Sequence, residues 1–174
     1  MAHLRSLANL TVEVNPKHLG AWPWKIGEYM LNFAGLELIS YQYLNSLEAT
    51  RDDFNKNLDQ LLSGRIQRIR ELVRSSPSLA QDVKDEIDAL WSEVSDLSAW
   101  RNRIAHNPVL PTWKVSNPDK DPPDLIGIPD MKQLKQGNVT DSISLKGLEK
   151  LVAATVDVGQ RLAAAVKKLQ VVHP

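Results

Sequence analysis

Residues 83–108 read VKDEIDALWSEVSDLSAWRNRIAHNP and hold the most informative pattern in the chain. Apolar side chains recur there at alternating spacings of four and three, which predicts one face of an amphipathic helix. These side chains are Val83, Ile87, Leu90, Val94, Leu97 and Ile104. Position 101 falls on the same face but holds an arginine. Because a charge on such a face has to be paired and hydrogen-bonded, Arg101 is predicted either to have a hidden partner or to do chemical work.

The end of this helix is predicted at Asn107, since the following Pro108 biases that residue away from the α conformation. His106 then lies in the accessible last turn, and Asn102 shares its face because the two residues are four apart. Two interpretations stay open. Arg101 is either a structural residue whose side chain reaches water from the edge of the apolar stripe, or part of a functional group with Asn102 and His106. The position next to a helix end favours the functional interpretation.

These three residue types are suited to cleaving RNA by attack of the neighbouring 2′-hydroxyl. The reaction needs a proton acceptor, a proton donor and positive charge on the phosphate. Histidine, with an unperturbed pKa of about 6.5, can serve as acid or base near neutrality. Arginine binds phosphate oxygens with a fixed fork of donors. Asn102 would orient His106 or the phosphate. One histidine supplies only half of the proton transfer, so a two-fold dimer would complete the site.

Arg101, Asn102 and His106 resemble the arginine, polar residue and spaced histidine that mark the HEPN superfamily, the nucleotide-binding domains of higher eukaryotes and prokaryotes. The resemblance covers about residues 23–170. It implies an all-α domain, commonly a homodimer, in which the motif helices of two protomers build a joint RNA-cleaving site without a metal ion. Arg101 and His106 are central to that site, and Asn102 is supporting. One branch of the superfamily carries a tyrosine two places after the histidine, where this chain has Pro108.

The resemblance implies a metal-independent endoribonuclease, such as a toxin or a defence component, with RNA as substrate and an antitoxin or a nucleotidyltransferase as a candidate partner. The residues leave a second class open, a non-catalytic helical bundle that binds RNA, a nucleotide or a protein. In that case Arg101 would pair with Glu37, which interrupts the apolar stripe of the first predicted helix. An open cleft lined by Arg101 and His106 would favour the enzyme. A fully buried, paired Arg101 with His106 facing away would favour the binding module.

Four long helices are predicted, so the expected fold class is all-α, an antiparallel four-helix bundle. The first helix covers about residues 23–47, and the second covers about 52–74 and is interrupted only by Gly64. The third carries the motif. The predicted caps are the Thr50–Asp53 pattern for the second helix, a capping box of Ser78 and Gln81 for the third, and Ser144 for the last, which runs to about Gln170.

The segment between the third and fourth helices changes character, because six prolines between residues 107 and 143 predict an irregular insertion. Residues 112–115 and 125–128 could pair within it as a small β-hairpin. Residues 1–22 would form an N-terminal extension with a short strand at 10–14. With 174 residues, of which 43% are hydrophobic, the whole chain is predicted to form a single domain.

The net charge of the chain is zero, with 21 basic and 21 acidic residues, so any RNA binding would depend on a local patch. A basic run on the second helix is interpreted as a solvated face in preference to a phosphate-binding surface. It comprises Arg65, Arg68, Arg70 and Arg74.

Other classes of site have little support in the sequence. The chain has no cysteine, which excludes disulfides and thiolate chemistry. His3, His18 and His173 lack ligand spacing to carboxylates, so neither a metal site nor a cofactor is predicted. No stretch approaches 18 consecutive apolar residues, so we expect no membrane span and a cytoplasmic protein.

Overall fold

The computed structural model describes residues 20–106, 110–112, 125–128 and 141–170, and this part of the chain is mostly helical, as predicted. The strand predicted at residues 10–14 lies outside the described residues. Among the described helices, none combines the length and apolar character needed to cross a membrane. The helices are α1 (Trp22–Leu47), α2 (Arg51–Leu58), α3 (Leu62–Ser75), α4 (Gln81–His106) and α5 (Leu145–Gln170), and the strands are β1 (Leu110–Thr112), β2 (Leu125–Ile128) and β3 (Asp141–Ser144).

α1 is the central helix, because it packs against α3, α4 and α5. It begins at Trp22, one residue before the predicted start. Two buried tyrosines of α1 reach the backbone of its neighbours. The Tyr29 hydroxyl donates a hydrogen bond to the carbonyl oxygen of Leu97 in α4 at 2.7 Å. The Tyr43 hydroxyl donates to the carbonyl oxygen of Leu162 in α5 at 3.1 Å. These bonds fix how far α4 and α5 are displaced along α1.

The prediction of one continuous second helix is wrong, because the chain forms α2 and α3 with residues 59–61 between them. The break comes before Gly64. Side-chain hydrogen bonds provide the physical reason, since they offer the chain an alternative to continuing the helix. The buried Asn57 amide donates to the Glu48 carboxylate at 2.9 Å, and the Gln60 amide donates to the Asn57 side-chain oxygen at 2.6 Å.

Two of the three predicted helix caps are confirmed. The hydroxyl oxygens of Thr50 and Ser144 each accept a hydrogen bond from the backbone amide three residues later, at 3.1 and 3.0 Å. The capping box at Ser78 is wrong, because α4 begins only at Gln81. The Ser78 hydroxyl lies 3.0 Å from the Ser76 hydroxyl, so it is used within the preceding turn.

The three strands form one antiparallel sheet in the order β1, β2, β3. Leu110 of β1 lies opposite Gly127 of β2, and Ile126 of β2 lies opposite Ile143 of β3. β1 begins two residues earlier than the strand predicted at 112–115, of which residues 113–115 lie outside the described part. β2 coincides with its prediction. β3 was not predicted, since it is a four-residue segment that leads directly into α5.

The last turns of α4 are anchored by one buried side chain. Ile104 is 7% exposed and packs in a cluster with Trp22 and Tyr29 of α1 and with Ile143. Leu97, two turns earlier, is equally buried, so the predicted apolar stripe is present at both positions. Anchoring Ile104 inward turns the neighbouring polar residues of α4 toward the surface.

Candidate functional site

A cavity of about 500 Å³ opens between α1, the 59–61 segment, the start of α3 and the end of α4. We call it the motif cleft. All four candidate residues from the sequence line it: Glu37 from α1, and Arg101, Asn102 and His106 from α4. Its other lining residues are Phe33, Tyr41, Gln60, Leu61, Leu62, Ser63, Arg65 and Ser98.

The Arg101 side chain lies at the wall of the motif cleft and is 30% exposed. Its Nη2 atom is 3.6 Å from Oε1 of Glu37, so the contact expected between these two residues is present. Its Nη1 atom donates a hydrogen bond to Oδ1 of Asn102 at 3.1 Å. The guanidinium also lies 5.9 Å from the centre of the Phe33 ring. The single long contact to Glu37 leaves most of the guanidinium donors available to a ligand.

The ion pair of Arg101 and Glu37 is less buried than the apolar stripes predicted. The Glu37 side chain is 34% exposed, similar to that of Arg101. Position 101 lies at the edge of the stripe, because the spacing of seven residues between Leu97 and Ile104 is not divided evenly by 3.6 residues per turn. The arginine therefore faces the cleft instead of a closed core.

His106 is the last residue of α4 and is exposed at the rim of the motif cleft. Within the described residues its ring makes no hydrogen bond and no ion pair. Asn102, one turn earlier on the same face, is also exposed and is the acceptor for Arg101. The structure thus gathers the three α4 residues on one wall, with the histidine facing solvent and the arginine partly oriented by its neighbours.

The sequence interpretation missed Arg65, which was assigned to a solvated face and is only 4% exposed. Its Nε donates to the Ser40 hydroxyl at 2.9 Å and its Nη1 donates to the Gln60 carbonyl oxygen. Its guanidinium lies 4.2 Å from the centre of the Tyr41 ring, a distance at which the cation and the ring attract each other. The signal that could have found it is its spacing of three and four from Leu62 and Ile69, which puts it on the apolar stripe of α3.

Each of the other three arginines of the basic run pairs with a carboxylate at the surface of the protein. Arg68 binds Glu48 through two hydrogen bonds of 2.8 and 3.0 Å. Arg70 and Arg74 both bind Asp88, and they hold the pKa of that carboxyl below its usual value. Arg65 is unlike them, since no carboxylate of the described residues lies within ion-pair distance of its guanidinium.

The lining residues of the motif cleft have a small positive net charge, on a chain that is neutral overall. Arg65 and Arg101 contribute two positive charges, and Glu37 contributes one negative charge. In the part of the chain that the structure describes, no group of three or more histidine, aspartate or glutamate side chains is placed to hold a metal ion. The guanidinium groups at the cleft are of a kind suited to binding anions, and an imidazole such as that of His106 is of a kind suited to proton transfer near neutral pH.

Comparison with protein-family models, curated proteins and solved structures gives no match.

We predict that the ion pair of Glu37 and Arg101 contributes little to stability. In a double-mutant cycle with Glu37→Gln and Arg101→Met, measured by urea unfolding, the coupling free energy should be about 0.2–1 kcal/mol, the value typical of solvent-screened pairs. The pair of Arg70 and Asp88 is the matched control. It should couple more strongly, because two hydrogen bonds of 2.8 Å join side chains of the same exposure. A coupling of about 3 kcal/mol at Glu37 and Arg101 would contradict the prediction and indicate a desolvated pair.

Proposed function

We propose that this protein is a metal-independent endoribonuclease of the HEPN type that cleaves single-stranded RNA in the motif cleft. One observation carries the proposal: Arg101, Asn102 and His106 line one open cleft, with the arginine 30% exposed and the histidine at the rim. A phosphate can reach both side chains there. A purely structural Arg101 would instead be enclosed with its partner, with His106 facing away.

The reaction proceeds by attack of the 2′-oxygen of a ribose on the adjacent phosphorus. A base accepts the 2′-hydroxyl proton, the new P–O2′ bond forms, and the P–O5′ bond breaks. An acid gives a proton to the leaving 5′-oxygen. The products are a 2′,3′-cyclic phosphate and a 5′-hydroxyl, and no electron acceptor or co-reactant is consumed. His106 supplies the acid or the base, a role for which imidazole is suited near neutrality.

Arg101 binds the non-bridging phosphate oxygens and stabilises the negative charge that develops on them. In the absence of RNA, Glu37 and Asn102 hold its guanidinium at the cleft wall. An incoming phosphate therefore competes with one contact of 3.6 Å instead of with a short bidentate pair. Asn102 keeps the guanidinium oriented during this exchange. Glu37 acts as a supporting residue that sets the resting position of the arginine.

A second histidine is required for the remaining half of the proton transfer, and we propose that a homodimer supplies it. The interface would include the end of α4 and the outer, exposed face of α1. Three large apolar side chains on α1 support this surface, because Trp24, Leu31 and Leu38 are 77, 76 and 60% exposed at spacings of seven. None of the three residues lines the motif cleft, and an exposed stripe of this kind is typical of a surface that a partner covers.

The proposal includes a fold in which the four long helices are antiparallel and residues 107–143 form an insertion. It also includes a cellular role as a toxin or defence component, with an antitoxin or a nucleotidyltransferase as partner. The alternative function is a non-catalytic bundle that binds RNA, a nucleotide or a protein. The contact of Arg101 with Glu37 favours it, since that contact gives the arginine a structural partner. Binding without cleavage distinguishes the alternative.

We predict that the purified protein cuts single-stranded RNA in the presence of a chelator and leaves cyclic phosphate ends. His106→Ala should lower the rate by about 10²–10⁴-fold, because proton transfer is lost. Arg101→Lys should retain partial activity, because the charge stays and the fork of donors is lost. The readout is the rate of cleavage of an end-labelled oligonucleotide, with the products identified by mass spectrometry.

The matched control for this experiment is Arg70→Lys, which changes the same residue type outside the motif cleft and should leave the rate unchanged. An oligonucleotide with deoxyribose at the cut site should resist cleavage. Undiminished cutting by His106→Ala protein, or an absolute need for magnesium, would show that the mechanism is wrong. RNA binding without any cutting by the wild type would support the non-catalytic bundle.

We predict that the protein sediments as a dimer at micromolar concentration and that Leu31→Arg shifts it to a monomer, because a charge in the apolar face of α1 has to be desolvated in the interface. Val156→Arg is the control, since Val156 is a 39% exposed apolar residue on α5. Sedimentation velocity measures both. A wild type that stays monomeric at high micromolar concentration, or a Leu31→Arg variant that stays dimeric, would contradict the proposed interface.

A further inference from the structure

Arg65 is a buried cation that lacks a counter-ion within the described part of the chain. Its Nε and Nη1 atoms donate to the neutral acceptors Ser40 and Gln60, and its guanidinium faces the ring of Tyr41. Among the described residues, its Nη2 atom has no hydrogen-bond partner. Removing a charge from water is costly unless an opposite charge compensates it. Because Arg65 lines the motif cleft, a ligand entering the cleft can provide that charge.

The start of α3 gives an independent reason to expect an anion at the same place. Leu61, Leu62 and Ser63 line the motif cleft, so the first turn of this 14-residue helix faces it. The N-cap residue Leu61 makes no side-chain hydrogen bond to the helix, and the first turn contains no acidic residue, while the neutral side chain of Gln60 packs against this turn at Gly64. The first amides of a helix lack intrahelical partners and carry a partial positive charge, and both properties favour a bound phosphate.

The carboxylate of Glu37 is the negative charge among the described lining residues, and it is directed to Arg101 at 3.6 Å. It does not pair with Arg65. The two arginines thus form separate positive centres in one cavity. Arg101 is partly exposed and partly compensated, whereas Arg65 is buried, contacted on three sides by Ser40, Gln60 and Tyr41, and uncompensated among the described residues.

We propose that Arg65 and the uncapped first turn of α3 form a second phosphate subsite, which binds the backbone phosphate next to the one held by Arg101. The proposal rests on the proposed function, because it takes RNA to be the ligand of the motif cleft. Arg65 is a positioning residue. By holding a neighbouring phosphate, it fixes where the strand lies relative to His106 and selects a substrate with at least two consecutive linkages.

The test uses a fluorescent 2′-O-methyl trinucleotide, which cannot be cleaved and has only two phosphate linkages. Each linkage is replaced in turn by a neutral methylphosphonate, and the affinity is measured by fluorescence anisotropy. With the wild-type protein, each replacement should weaken binding about tenfold, because each removes a charge-assisted contact. This comparison needs no variant protein, so it holds even if substitution of the buried arginine impairs folding.

Variants then assign the two linkages. With Arg65→Gln, one of the two methylphosphonates should cause no further loss of affinity, and with Arg101→Gln the other should cause none. The reason is that the effects on affinity of removing an arginine and of removing the phosphate charge it binds do not add. Arg70→Gln is the matched control on α3, since Arg70 pairs with Asp88 outside the motif cleft. It should show the wild-type response at both linkages. The thermal unfolding of each variant is recorded in parallel.

A single sensitive linkage in the wild type overturns the second subsite. So does an Arg65→Gln protein that folds and responds like Arg70→Gln. These results are separable from failure of the proposed nuclease. If a trinucleotide with one ribose is cut while only one linkage is sensitive, the nuclease proposal stands and the subsite falls. If both linkages are sensitive and assigned as expected but no ribose-containing substrate is cut, the subsite stands and the catalytic proposal falls.

Discussion

The packing of α1 against its neighbours is the constraint on which the rest of the structure depends. This helix has 26 residues and only three charged ones, Lys25, Glu28 and Glu37, so it can bury side chains toward α3, α4 and α5 at once. The hydroxyls of Tyr29 and Tyr43 bind carbonyl oxygens of α4 and α5, and burial raises the pKa of both phenols well above the usual value.

This arrangement determines the motif cleft. Phe33, Glu37 and Tyr41 lie one turn apart along α1, on the side that faces Arg101 and Arg65. A shift of α1 along its axis would move Glu37 away from Arg101 and Tyr41 away from Arg65 together. The bonds of the two buried tyrosines oppose such a shift, so the geometry of the candidate site follows from the packing of the core.

The long helices, whose apolar residues recur with a clear helical period, could be predicted from the sequence. The break between α2 and α3 and the short strand β3 could not. α1, α4 and α5 were expected close to their observed bounds, because long apolar stripes specify both the element and its buried face. The break at residues 59–61 depends on the contact of Asn57 with Glu48 and on Gln60, which are polar side chains that a pattern of apolar spacing does not register. β3 is too short for a period to be visible.

The candidate site also contains residues that the sequence pattern predicts and residues that it does not. An arginine on an apolar stripe identified Arg101, and its contact with Glu37 followed from the matching interruption on α1. Arg65 lies on an apolar stripe as well, but Arg68, Arg70 and Arg74 around it give the segment the pattern of a solvated face. Only the tertiary structure distinguishes Arg65 from these arginines, because their partners are distant in sequence. Glu48 lies 20 residues from Arg68, and Asp88 lies 18 residues from Arg70.

The central claim is that the α4 residues of the motif cleft contact a phosphate of RNA. Nuclear magnetic resonance with the uncleavable trinucleotide tests it most directly, by following the imidazole signals of His106, assigned with the His106→Ala variant, and the Nε–H signal of Arg101. The account predicts that both signals move along one saturable binding curve, while the Nε–H signal of Arg70, which lies outside the motif cleft, does not. Binding that leaves His106 and Arg101 unchanged and shifts signals elsewhere on the surface would contradict it.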